Sequence, residues 1–111
     1  MAREGFRIVR NETPARDDFL TARELGKPLR DHSRRREWAE AVSVYEDVDY
    51  AVRQARRIRF GLGRFVVRLT IPDGAAVELV QTGGDSRHFS LFARPEQLLA
   101  WSDDRALDAS T

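Results

Sequence analysis

The chain contains no cysteine and two histidines among its 111 residues. Without cysteine it can form no disulfide, no thiolate nucleophile and no cysteine-ligated zinc site. His32 and His88 remain as imidazole ligands, and two such residues are too few to predict a structural metal. We therefore expect no metal cofactor.

Long apolar runs are also missing from the sequence. No stretch approaches the roughly 20 apolar residues that a membrane-spanning helix requires, and residues 1–5 lack the apolar core of a signal peptide. The sequence therefore predicts a cytoplasmic protein that does not engage a membrane.

The common catalytic signatures are absent too. None of the patterns G-x-S-x-G, H-E-x-x-H or G-x-x-x-x-G-K occurs in the chain, which argues against the usual hydrolase, metalloprotease and P-loop sites. Gly61 and Gly63 match part of a dinucleotide-binding fingerprint. A strand rather than a helix is predicted after them, so the context excludes a Rossmann turn.

What the chain does contain is the composition of a folded domain, with 41% hydrophobic and 33% charged residues. A chain of this length fits one domain that buries roughly two thirds of its unfolded surface. Residues 1–102 carry the strand and helix patterns, whereas residues 103–111 are acidic and small. We therefore predict a single domain over 1–102 and a flexible acidic C-terminal tail over 103–111.

Alternation of apolar and polar residues predicts the strands. The clearest case is 65–71, which we interpret as a central strand with one wholly apolar face. That face consists of Phe65, Val67, Leu69 and Ile71. Shorter patterns predict four more strands at 6–10, 42–45, 77–81 and 88–93. The strands at 65–71, 77–81 and 88–93 follow one another closely, which predicts an antiparallel meander.

Helical spacing and capping residues predict helices at 13–25, 33–41, 48–58 and 95–101. Thr13 and Pro14 provide a cap and a first turn for the first of these, and Gly26 ends it. Together, these elements predict an α+β fold. We expect a single domain with a five-stranded, mainly antiparallel sheet and three to four helices.

The basic residues are nearly all arginine, and they are unevenly distributed along the chain. Eighteen of the nineteen are arginine, which fits phosphate or carboxylate recognition but equally fits codon bias in a GC-rich genome. Residues 50–72 contain six arginines and no acid: Arg53, Arg56, Arg57, Arg59, Arg64 and Arg68. This cluster predicts either a phosphate- or nucleic-acid-binding face or a solvated helix and strand surface.

A second group of polar residues lies on the predicted strands. Arg7 is on the first strand, Ser43 and Tyr45 are on the second, and His88 and Ser90 are on the last. In one sheet these side chains could converge on a site. Each also has an ordinary explanation, as a surface charge, as strand-end packing or as an imidazole hydrogen-bonded across the sheet.

The order of these elements resembles known proteins over nearly the whole chain. Strands at 6–10 and 42–45, a helix with Ala51 and Ala55, the strand 63–72 and the stretch 87–92 resemble a group of small, uncharacterised bacterial proteins. More distantly, the pattern resembles the minimal ADP-ribosyltransferase fold, including toxins of the RES type. The resemblance implies an NAD-directed domain that acts as a bacterial toxin or defence component.

The resemblance also implies roles for particular residues. Arg7 or Arg10 would contact the phosphates of the dinucleotide, and Ser43 with Tyr45 would line the nicotinamide ribose. Many transferases carry a glutamate on the last strand, where this chain has His88. We therefore expect Arg7, Ser43, Tyr45 and His88 to line one cleft.

Two alternatives belong to other functional classes. One is a non-catalytic module that binds nucleic acid or a phosphate-rich partner through the arginine cluster together with Arg10. The other is a protein-interaction domain whose exposed sheet edge pairs with a partner.

Overall fold

The computed structural model describes residues 2–30, 32–57, 64–82 and 87–110. Within these ranges the chain forms one antiparallel sheet of six strands and three α-helices. The strands are β1 (Arg3–Val9), β2 (Val42–Tyr45), β3 (Phe65–Ile71), β4 (Glu78–Gln81), β5 (His88–Phe92) and β6 (Leu107–Asp108). The helices are α1 (Arg35–Glu40), α2 (Val48–Arg57) and α3 (Pro95–Trp101). The α+β class with an antiparallel sheet is confirmed, and the prediction of five strands is wrong by one. The predicted meander is also wrong, because β3 pairs with β1 and β6 and not with β4.

The strands lie in the order β4-β5-β2-β1-β3-β6, which puts β1 in the interior of the sheet. β1 pairs with β3 along its whole length, from Arg3 opposite Ile71 to Val9 opposite Phe65. With β2, in contrast, its described register is the single pair Phe6 and Tyr45. The two strands are therefore unpaired along 7–9 and 42–44 in the described structure, and this interruption opens the sheet at its middle.

Both faces of the sheet are covered. The alternation of β3 places Phe65, Val67, Leu69 and Ile71 in the larger core, as the sequence predicts. On the opposite face, α2 packs Ala51 and Ala55 over the sheet in a smaller cluster with Ile8, Val66 and Ala109. Small side chains on α2 allow the helix to approach the strands closely.

The predicted helix at 13–25 is instead a short 3-10 turn, Arg16–Phe19, followed by turns that end at Gly26 with φ of 74°. The cause is Asp18, whose carboxylate accepts hydrogen bonds from the backbone N–H groups of Arg10 and Ala15. Such side-chain bonds compete with a continuous helix. The predicted helix end at Ile58, Arg59 and the glycines at 61 and 63 lie outside the described residues.

The C-terminal segment differs from the flexible tail that the sequence suggests. Ser102 forms a β-bridge with Leu69, and β6 pairs with β3 at the far edge of the sheet. Ala106 and Ala109 are buried. Two buried alanines three positions apart are too weak a pattern to predict this strand, which adds the sixth member of the sheet.

We expect Ala109→Gln to lower the free energy of unfolding by about 1–3 kcal/mol, since a long side chain overfills the cluster beneath α2. The matched control is Ser110→Gln, one position on and exposed, which should change stability by less than about 0.5 kcal/mol. Urea melts of both variants would measure the difference. Equal melts would show that the segment does not pack on the sheet.

Candidate functional site

A cleft of about 1100 Å³ lies where β1 and β2 separate. Its walls are α1 and the irregular segment from residue 20 to residue 30, named here the 20–30 segment. Its volume is just above the usual range of about 300–1000 Å³ for small-molecule and cofactor sites. Arg7, Ser43, Tyr45 and His88 all line this cleft.

The cleft floor is formed by two neighbouring strands. Ser43 of β2 lies opposite Ser90 of β5, and Tyr45 lies opposite His88. Paired residues point to the same face of a sheet, so these four side chains share one surface. The Tyr45 and His88 rings meet edge to face with their centroids 5.5 Å apart. The floor therefore offers two hydroxyls, a phenol and an imidazole.

Arg7 lies on the face of β1 opposite to Phe6 and Tyr45, yet its side chain also lines the cleft. Its Nε donates to the Asp18 carbonyl oxygen at 2.8 Å, and Nη1 donates to the Ser43 carbonyl oxygen at 2.9 Å. The guanidinium thus fills the gap left by the missing backbone pairing between β1 and β2. Of its five N–H groups, three bind no other described residue.

The guanidinium group of Arg7 is strongly desolvated. Burial lowers the pKa of Arg7 to about 10, against the opposing attraction of Asp18 and Tyr45. The side chain is still a cation at neutral pH. A half-buried cation that is not matched by a directly bonded carboxylate favours an anionic ligand beside it.

Asp18 holds the chain that carries Arg7. Its Oδ1 accepts from the Arg10 N–H at 2.9 Å, and its Oδ2 accepts from the Ala15 N–H at 2.9 Å and from Asn11 Nδ2 at 3.0 Å. The sequence identifies Asp18 as a first-turn charge of a helix. Its role in the turn after β1 depends on contacts that no periodicity reveals.

Two contacts of Arg36 hold helix α1 against the sheet, where it forms one wall of the cleft. The Arg36 guanidinium lies 4.1 Å from the centre of the Phe92 ring on β5 and forms an ion pair with Glu78 on β4 at 2.6 Å. The 20–30 segment is joined to α1 by a weaker bond from the Arg23 N–H to the Trp38 carbonyl oxygen at 3.4 Å.

The cleft lining is rich in positive charge. Its basic members are Arg7, Arg10, Lys27, Arg30 and Arg34, and its acidic members are Asp17, Asp18 and Glu37. Five basic side chains therefore face three acidic ones among the described lining residues, and the Asp18 carboxylate already accepts from three donors. This balance favours a ligand with negative charge.

The same cleft has an apolar side. Leu20, Leu25, Pro28 and Leu29 of the 20–30 segment line it together with Trp38 of α1. The indole Nε1 of Trp38 is buried and has no hydrogen-bond partner among the described residues. Cationic and apolar walls together suit a ligand that combines anionic groups with a flat ring.

A buried hydroxyl pair adjoins the floor. Thr82 follows β4, and its Oγ1 lies 2.9 Å from Ser90 Oγ and 3.1 Å from His88 Nδ1. His88 Nδ1 is also 3.2 Å from the Thr82 carbonyl oxygen. Sequence patterns place Thr82 in a loop after β4 and provide no signal for this contact.

The remaining predicted binding arginines lie away from the cleft. Arg68 forms ion pairs with Glu4 and Asp103, and Arg64 with Asp108. The other three are on α2: Arg56 donates to the Ala109 carbonyl oxygen at 2.6 Å, Arg53 lies over the Tyr50 ring, and Arg57 is exposed in the last turn. Arg10 lies in the lining of the cleft, and these five arginines do not.

Comparison of the chain with protein-family models, with curated proteins and with solved structures finds no significant match. Over the described ranges, no helix combines the length and apolar character that crossing a membrane requires. In the same ranges, no three histidine or carboxylate side chains come together as a metal site would need.

Proposed function

We propose that the cleft binds a dinucleotide and that the protein is an NAD-directed domain of the ADP-ribosyltransferase type. The observation that carries this proposal is the position of Arg7. Its cationic guanidinium is anchored by two carbonyl oxygens, with N–H groups left over, in the same cleft as Ser43, Tyr45 and His88. A toxin or defence role would follow from the resemblance described above.

The proposed ligand matches the two sides of the cleft. Guanidinium groups bind phosphate oxygens through paired N–H donors, which assigns the pyrophosphate to Arg7 and Arg34. Serine and tyrosine hydroxyls both donate and accept, which assigns a ribose to the floor at Ser43 and Tyr45. A nucleobase or nicotinamide ring would then lie against the apolar wall.

The alternatives receive less support. Arg56, Arg64 and Arg68 are each engaged by residues of the C-terminal segment, which reduces the positive charge available to a nucleic acid. The outer edge of β4 offers unpaired backbone groups to a protein partner, but this edge is only four residues long.

We expect NAD to raise the melting temperature of the protein, because a ligand that binds the folded state alone stabilises it by mass action. Arg34→Gln should weaken NAD affinity about tenfold, the effect of losing one hydrogen bond to a charged group. Calorimetric titration would measure the change. Arg57→Gln, on the exposed end of α2, is the matched control and should leave the affinity unaltered.

A different result would favour the nucleic-acid alternative. If oligonucleotides stabilise the protein and NAD, ADP-ribose and ATP do not, the dinucleotide proposal is wrong. Binding should then weaken with salt, with a log-log slope of about −0.9 for each phosphate contacted on duplex DNA. In that case Arg57→Gln, and not Arg34→Gln, should reduce affinity.

A further inference from the structure

The indole N–H of Trp38 is a buried donor without an acceptor. Trp38 lines the cleft from α1, and among the described residues none accepts a hydrogen bond from its Nε1. The indole nitrogen can only donate. Because a buried donor that lacks a partner is costly, nearly all such groups in folded proteins are satisfied. A ligand in the cleft could supply the missing acceptor.

A ligand can reach this N–H only if a neighbouring part of the wall moves, since Nε1 is closed off from solvent. The 20–30 segment is bonded to Trp38 through the Arg23 N–H, which donates to the Trp38 carbonyl oxygen at 3.4 Å. In the described structure this is the one hydrogen bond that joins the segment to the rest of the chain. It is longer than the usual range of about 2.7–3.2 Å. The segment is therefore loosely attached at Trp38.

The 20–30 segment is well bonded within itself. Thr21 and Glu24 exchange two hydrogen bonds, from the Glu24 N–H to Thr21 Oγ1 at 3.1 Å and from the Thr21 N–H to Glu24 Oε1 at 2.9 Å. Three further N–H groups, of residues 25–27, donate to carbonyl oxygens of residues 21–23. The segment can therefore shift as a unit while its internal bonds stay intact.

Two side chains of the segment would gain from such a shift. Leu25 lines the cleft and is 42% exposed, so a ring inserted between Leu25 and Trp38 would remove apolar surface from water. Lys27 is an exposed cation in the same lining, and it attracts the anionic part of a ligand. Both contacts favour the shifted position once a ligand is bound.

We propose that the 20–30 segment shifts when a ligand enters the cleft and that the Trp38 indole N–H then donates to the ring of that ligand. The ring lies between Trp38 and Leu25, and the segment gives up only its long bond to the Trp38 carbonyl oxygen. This inference rests on the proposed function, which places a nucleobase or nicotinamide ring against the apolar wall. The acceptor is a ring nitrogen of adenine or the carboxamide oxygen of nicotinamide.

Proton NMR of the whole protein tests the new hydrogen bond. The chain has two tryptophans, Trp38 and Trp101, and Trp101→Phe assigns their two indole N–H signals. In saturating NAD we expect the Trp38 signal to move downfield, because hydrogen bonding deshields the proton, and the Trp101 signal to stay in place. ADP-ribose lacks nicotinamide, so the same movement with ADP-ribose assigns the acceptor to adenine, and movement with NAD alone assigns it to nicotinamide.

Trp38→Phe keeps an aromatic ring and removes the N–H. We expect the dissociation constant for NAD to rise about fivefold, the effect of one hydrogen bond. Trp101→Phe is the matched control, because Trp101 is not among the lining residues, and it should leave the constant unchanged. If Trp38→Phe remains folded and binds NAD as tightly as wild type does, the N–H does not bind the ligand.

Hydrogen exchange resolved by residue tests the movement of the segment. The Arg23 N–H should exchange faster when NAD is bound, because the shift breaks its bond to Trp38, whereas the N–H groups of residues 25–27 should exchange no faster. NAD that binds without moving the Trp38 signal, or without faster exchange at Arg23, would overturn this inference and leave the proposed function standing. If neither NAD nor ADP-ribose binds, the proposed function and this inference are both wrong.

Discussion

Replacing Leu69 with alanine is expected to lower the free energy of unfolding by about 2–5 kcal/mol. Leu69 is fully buried on the inner face of β3, in the larger core with Leu91 and Leu98. The substitution removes buried methyl and methylene groups and leaves a cavity that the strands on either side of β3 cannot close. Urea denaturation followed by circular dichroism would measure the loss.

Leu107→Ala is the matched control, because the same side chain is 53% exposed on β6. It should change stability by less than about 0.5 kcal/mol. A cost well below 1 kcal/mol for Leu69→Ala, or equal costs for the two variants, would mean that the assignment of the β3 faces is reversed.

Asp18→Ala should destabilise the protein by about 3 kcal/mol. The substitution leaves the partly buried N–H groups of Arg10 and Ala15 without their acceptor, and a donor that loses its partner away from water costs about 1–3 kcal/mol. The loss should also loosen the turn that supplies a carbonyl oxygen to Arg7. We therefore expect weaker NAD binding together with the lower stability.

The neighbouring Asp17→Ala provides the comparison, since Asp17 is an exposed carboxylate one position away. Removing it should cost less than about 0.5 kcal/mol. If the two alanine variants melt at the same denaturant concentration, the hydrogen bonds of Asp18 do not stabilise the turn.

The sequence predicts the α+β class and the inner face of β3, because one face of this seven-residue strand is wholly apolar and the other carries Arg68 and Thr70. It also predicts that β2 and β5 carry polar side chains on one face. Ser43, Tyr45 and His88 share that face in the structure. These features follow from local periodicity, which a single sequence records well.

The alternation of apolar and polar residues could not predict that Arg7 lies in the cleft. Alternation alone separates it from Phe6, which shares the face of Tyr45. Arg7 reaches the cleft because β1 and β2 stop pairing beyond that point, and its guanidinium crosses the gap to the Ser43 carbonyl oxygen. Strand pairing is a property of two segments distant in sequence, so its interruption leaves no local pattern.

The turn at 16–19 and strand β6 were missed for related reasons. Asp18 fits a helix start by residue type, yet its carboxylate bonds to Arg10, eight positions earlier. β6 has two residues and depends on pairing with Phe65 and Val66. In both cases the deciding contact is tertiary and overrides the local preference.

The interior position of β1 has a consequence for the order of folding. β1 is synthesised well before its main partner β3, with which it pairs from Arg3 opposite Ile71. Contacts between distant segments slow folding, because a long loop must close before they form. Until β3 emerges from the ribosome, β1 lacks its longest pairing edge, so nascent chains that end before Ile71 should be the ones that bind chaperones or aggregate.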